Sequence, residues 1–192
     1  MAKKIPNPWG WSGTIHDFLV LAKAEWLAAL QEHHRRCMNA PADPGRLSAW
    51  DDESGILTKE LKQLLQVKPA LGMYTIIFEY KLPRERSRGP DVIILGASVF
   101  VLEFRDAEHI LLAHVDQVAA YARDLQQHHA GSRQATVVPV LVLARTKELV
   151  TRYEDVIVLS PDRIADVFTV ESELETGMLI DPVAWMAAGY SP

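Results

Sequence analysis

The sequence predicts an α/β fold in which a mixed β-sheet is flanked by helices, and three observations carry that expectation. Hydrophobic spacing changes period along the chain. It runs at three- and four-residue steps over 14–67, through β-branched and aromatic runs from 73 to 105, and back to helical steps over 107–129. The runs between 73 and 105 are joined by short turns, as antiparallel neighbours are. A helical segment then leads to a further apolar run, the kind of crossover that a parallel pair of strands requires.

The elements follow in order. Over 14–36, Phe18, Leu19, Ala22, Trp26, Ala29 and Leu30 make one face of an amphipathic helix. Pro41, Pro44 and Gly45 break it into a loop over 39–45, and a second helix falls within 46–67, with Leu57, Leu61, Leu64 and Leu65 on one side. Strands are expected at 73–80, 91–95 and 99–105, the last two turning about Gly96, Ala97 and Ser98. A helix over 107–129 carries Leu111, Leu112, Val115, Val118 and Leu125. Apolar strands at 137–144 and 156–159 read as buried on both faces. Ser160 caps a short helix that Pro161 opens.

Residues 1–70 are thus expected to pack as a helical part on a core of 71–170. Residues 171–192 offer no terminal packing element and are expected to lead into a further domain of a longer polypeptide. Of the tryptophans, Trp26 and Trp50 read as packing anchors, whereas Trp9 and Trp11 are expected to seal the N-terminus or meet another domain.

Composition narrows the function classes. A single cysteine, Cys37, excludes an internal disulfide and a cysteine-only zinc site. The histidine pairs His33–His34 and His128–His129 are adjacent in sequence, so neither pair converges on one ion from a helix. No apolar run approaches the roughly 18 residues of a membrane span. Lys3 and Lys4 precede Pro6, Pro8, Trp9 and Trp11 instead of an apolar leader, which points to the cytoplasm. The net charge of −5 is concentrated: residues 154–181 hold eight acids against Arg163 alone, while 81–88 (KLPRERSR) holds four basic residues and one acid.

The chemistry gathers around that basic stretch. A hairpin centred on Ala97 sets Asp91 directly across from Glu103, with β-carbons about 4.5–5.5 Å apart. Two carboxylates so placed repel unless a cation joins them, and hard oxygen donors suit Mg²⁺ or Mn²⁺. Strand periodicity puts Arg105 on the same face as Glu103 and Phe104 on the other. Lys81, Arg84, Arg86 and Arg88 lie where a phosphodiester backbone would approach. Glu79 is a candidate third acid; its alternative is a surface pair with Arg84 or Arg88. Gln117 and Tyr121, four apart, share one helix face.

Pro90-Asp91, an interval of eleven residues, then Glu103-x-Arg105, with Gln117-x-x-x-Tyr121 on the following helix, resembles the PD-(D/E)xK nuclease superfamily in its RecB-like branch. The wording of 78–125 is similar to the N-terminal nuclease-type domain of bacterial proteins that carry a Schlafen-related helicase downstream. The resemblance implies a restriction-endonuclease-like αβββαβ core and Mg²⁺-dependent hydrolysis of nucleic acid, DNA first, in a repair or defence setting beside a helicase. It implies metal binding by Asp91 and Glu103, with the Phe104 carbonyl as an added ligand. Arg105 would stabilise charge on the phosphate, and Gln117 and Tyr121 would orient the substrate. Glu60 is the acid of the preceding helix that the family pattern suggests.

Arg105 departs from the family, which carries lysine there. Arginine is planar and effectively never deprotonated, and ~1 Å of misplacement at a reacting centre costs ~10²-fold. The alternative to a nuclease is therefore the same fold without turnover, acting as a nucleic-acid-binding or regulatory module. A third reading makes the acidic 154–181 stretch a docking face for a protein partner.

Overall fold

The structure, a computed structural model, describes residues 7–83, 88–168 and 178–191. Seven strands form one mixed sheet: β1 (Trp11–Thr14), β2 (Thr75–Phe78), β3 (Val92–Leu95), β4 (Val99–Arg105), β5 (Val137–Leu143), β6 (Val150–Tyr153) and β7 (Val156–Leu159), in the spatial order β1-β2-β3-β4-β5-β7-β6. The β1 to β4 neighbours are antiparallel; β4, β5 and β7 run parallel, and β6 returns antiparallel at the far edge. The α/β class with a mixed sheet is therefore what the molecule has. Among the described residues no helix is long and apolar enough to cross a membrane.

Strand alternation divides the core into two layers. Phe78, Ile94, Phe100, Leu102 and Phe104 face α1 (Ile15–Val20), α2 (Lys23–Met38) and α3 (Pro44–Val67). Ile93, Leu95, Val101, Leu141 and Val158 face α4 (Leu112–His128) and α5 (Pro182–Ala187). Helices on both faces explain why β5 and β7 are apolar at nearly every position.

Four expectations change. The single helix over 14–36 is two, because Leu21 and Ala22 are extended. No helix-breaking residue marks that bend. It lets Phe18 and Trp26 both reach Phe78, at ring-centroid distances of 5.0 and 5.1 Å.

The N-terminal part is more than a helical layer, since β1 extends the sheet by pairing Trp11 with Phe78. Trp11 packs on Phe18 and Phe78. Strand β6 was not expected either; it forms a hairpin with β7 whose turn sets Glu154 at φ 51°.

The C-terminal segment does have a packing element. Asp181 caps α5 by accepting from the Val183 and Ala184 amides, and Trp185 is buried with its indole donating to Ser132 Oγ at 2.9 Å. Residues 169–177 lie outside the described residues, and with them Glu171, Glu173 and Glu175 of the acidic stretch.

Candidate functional site

The β3–β4 hairpin carries the site. Its pairing, from Leu95 with Val99 to Val92 with Leu102, has the register centred on Ala97, so Asp91 and Glu103 are the next opposed positions. There the ladder changes character. Asp91 Oδ2 accepts the Phe104 amide at 2.8 Å, and the Asp91 carbonyl accepts the Glu79 amide at 2.9 Å. Both carboxylates are buried, at 8% and 2% exposure.

Four acids and three cations meet here. Burial and the nearby Glu79 charge push Asp91 up to about 6, against the pull of the Phe104 amide. Burial, then the Asp91 charge, raises Glu103 well above the carboxylate range. Glu53 on α3 is raised in the same way, by burial and then by Asp91, Glu79 and Glu103. Glu79 differs. Burial pushes it up, but Lys81 and Arg46 outweigh that and hold it below its usual value.

Glu79 is where the chain leaves the sheet, at φ 55°, a conformation uncommon for a residue with a side chain. Its Oε1 accepts from Trp50 Nε1 at 2.8 Å and from Arg46 at 3.3 Å, and its Oε2 from Lys81 at 2.8 Å. So Glu79 is a buried counter-ion whose described partners are Arg46, Lys81 and Trp50; it is neither a surface pair nor an open third ligand. Lys81 is committed to it and only 15% exposed. Arg88 is exposed at the mouth, and Arg84 and Arg86 lie outside the described residues.

Gln117 ties the remaining residues together. Its Oε1 accepts from Arg105 at 2.9 Å, while its Nε2 donates to Tyr121 Oη at 2.7 Å and to Glu103 Oε1 at 3.3 Å. Burial raises the Tyr121 phenol, so it stays protonated near neutrality. Arg105 is folded back into the site. It donates to the Phe104 carbonyl at 2.8 Å and lies 2.6 Å from Glu103 Oε1. Glu103 Oε2 is buried without a hydrogen-bond partner. Asp91, Glu103, Arg105, Gln117 and Tyr121 thus line one open cleft of about 600 Å³, with Glu79, Lys81 and Arg88 on its other side.

Three α3 residues that bear on the site were not anticipated: Arg46, which lines the cleft, Trp50, which donates to Glu79, and Glu53, whose carboxyl feels the Asp91 charge. They continue the stripe of Leu57, Leu61 and Leu64 toward the N-terminus of α3, and a carboxylate on an otherwise buried stripe was the available signal. Glu60 is also buried but lies two turns farther along, about 10 Å from Glu53 by helical rise. It pairs with Lys59 and does not line the cleft. Among the described residues, no three His, Cys, Asp or Glu side chains form a ready metal cage. Comparison with protein-family models, with curated proteins and with solved structures returned no match.

Proposed function

We propose that this chain is a restriction-endonuclease-like domain of the PD-(D/E)xK type that binds nucleic acid, DNA first, along the cleft and hydrolyses its phosphodiester with Mg²⁺ or Mn²⁺. One observation carries the reading. Five residues that the motif spaces over thirty-one positions, from Asp91 to Tyr121, line a single cleft. The order α3-β2-β3-β4-α4-β5, which is αβββαβ, supports it as well.

The donor set fits the ion. Asp91, Glu103 and the Phe104 carbonyl are all-oxygen donors, Glu103 Oε2 is unpartnered, and burial first, then the neighbouring carboxylate, raises both acids. Mg²⁺ needs only one or two carboxylates beside water and phosphate, so no three-acid cage is required. When bound, the ion would polarise a phosphoryl oxygen and acidify water. Asp91 and Glu103 would hold it. Arg105 neutralises charge on the phosphate, with Gln117 fixing its plane and Tyr121 fixing Gln117. Arg88, exposed at the mouth, meets a flanking phosphate. In the setting the resemblance implies, the domain works beside a helicase in a longer polypeptide.

The test is cleavage of linear and circular DNA with Mg²⁺ or Mn²⁺. Wild type is expected to cut, while Asp91→Ala and Glu103→Ala bind DNA but do not cut. One observation favours a second reading, a binding module without turnover: the Arg105 guanidinium sits on the groups that would hold the ion. In that case DNA binding is salt-dependent and unchanged by Asp91→Ala, and nothing is cut.

A further inference from the structure

The partners of Arg105 are a carboxylate oxygen (Glu103 Oε1), a backbone carbonyl (Phe104) and an amide oxygen (Gln117 Oε1). They are hard, oxygen-only donors, the same kind of set that a small divalent cation takes. Two of the three belong to the donor set assigned above to the ion. The guanidinium is delocalised, and its fork of donors reaches all three acceptors at once. The single ammonium of a lysine has no such fork. The substitution that departs from the family motif is therefore the one that lets a side chain fill the cation's place.

The charge around it is not balanced. Arg46 and Lys81 pair with Glu79, so Arg105 is the one described cation in ion-pair contact with Glu103, and Arg46 acts on Asp91 and Glu53 only at longer range. Glu103 Oε2 still lacks a partner. The site thus retains attraction for a cation while its inner acceptors are taken. A dication held on Glu103 and the Phe104 carbonyl would stand beside the guanidinium at short range, and two like charges there repel strongly in a partly buried site.

We propose that Arg105 is the resident cation of this cleft, and that its guanidinium must leave Glu103 and the Phe104 carbonyl before a divalent ion can be held there. The inference rests on reading the cleft as a phosphodiester site. The paired side chain is already 24% exposed and lines the cleft, and once released its head group stays tethered to the end of β4, so a nucleic-acid phosphate is its natural new acceptor. Phosphate and metal then help each other bind. By linkage, nucleic acid tightens the metal by the same factor as the metal tightens nucleic acid.

The experiment is titration of Mn²⁺ into the whole chain by calorimetry, with and without a short DNA duplex, for wild type, Arg105→Gln and Arg105→Lys. Far-UV circular dichroism establishes that each variant is folded. Arg105→Gln is expected to bind Mn²⁺ about tenfold more tightly than wild type. The duplex should tighten Mn²⁺ for wild type but not for Arg105→Gln. That comparison within wild type needs no variant to fold. Arg105→Lys should fall between the two. Equal Mn²⁺ affinity in wild type and Arg105→Gln, with no effect of duplex, would overturn displacement while leaving the metal-dependent reading in place. No Mn²⁺ binding by any form would overturn both. Gated Mn²⁺ binding without DNA cleavage would sustain the role of Arg105 and remove turnover from the proposed function.

Discussion

Asp91 takes up a proton on folding in mildly acidic solution, because its folded-state value lies at about 6 against 3.8 for an unperturbed aspartate. A carboxylate raised in this way contributes its full stability below the unfolded value and loses it as pH rises through the folded one. The window is therefore roughly pH 4 to 6.5, and the protein should be less stable at its upper end. Asp91→Asn keeps an acceptor for the Phe104 amide without the charge. It should stabilise the fold at pH 8 by about 2–3 kcal/mol, at roughly 1.4 kcal/mol per unit, and by nothing near pH 4. Urea denaturation at the two pH values checks this; a gain at pH 8 that persists at pH 4 would point to packing instead of charge. Glu79 has the opposite sign, since its cations hold it low and its contribution disappears as pH falls through its folded value. Trp50→Phe removes the indole donor while keeping most of the ring, and should cost about 1.5–3 kcal/mol, the range for a hydrogen bond to a charged group. Equilibrium unfolding measures it.

At the scale of elements, the segment between β2 and β3 is held by a close approach. A β-carbon added at Gly89 would lie 1.8 Å from the Tyr80 carbonyl oxygen, and the Leu82 amide donates to the Arg88 carbonyl at 2.8 Å. Gly89→Ala should therefore push this crossing apart, loosen Lys81 from Glu79, and cost about 1–3 kcal/mol, as overpacking does. An unchanged denaturation midpoint would mean that the crossing yields freely. The hairpin that carries Asp91 and Glu103 was legible in the sequence because its apolar runs flank a short turn, and the length of that turn fixes the register. Strand β1 was not: Trp-Ser-Gly-Thr is short, half-buried throughout and shows no alternation. Strand β6 is exposed at an edge, so its pattern is equally weak. The α3 side of the site was hidden for another reason. Glu53 is brought to Asp91 by tertiary packing across thirty-eight positions, which local spacing does not register.

For the whole molecule, the two helical layers clamp the sheet, and the C-terminal segment closes one of them. Trp185 stacks on His129 at 4.1 Å between ring centroids and packs near Tyr80, the residue just before Lys81. The Ile180 amide donates to the Gly96 carbonyl at 2.8 Å, stitching that segment to the turn of the site hairpin. Trp185→Ala should cost about 3–5 kcal/mol, seen as a lower urea midpoint; a shift within error would mean that the segment rests on the core without supporting it. Strand β4, which bears Glu103 and Arg105, is the middle strand of seven, with three on either side. Its amides are expected to exchange with deuterium only when its pairing with β3 or β5 opens. The backbone beneath the site is therefore expected to be among the slowest parts of the molecule to exchange, a firm base for the side chains that stand on it.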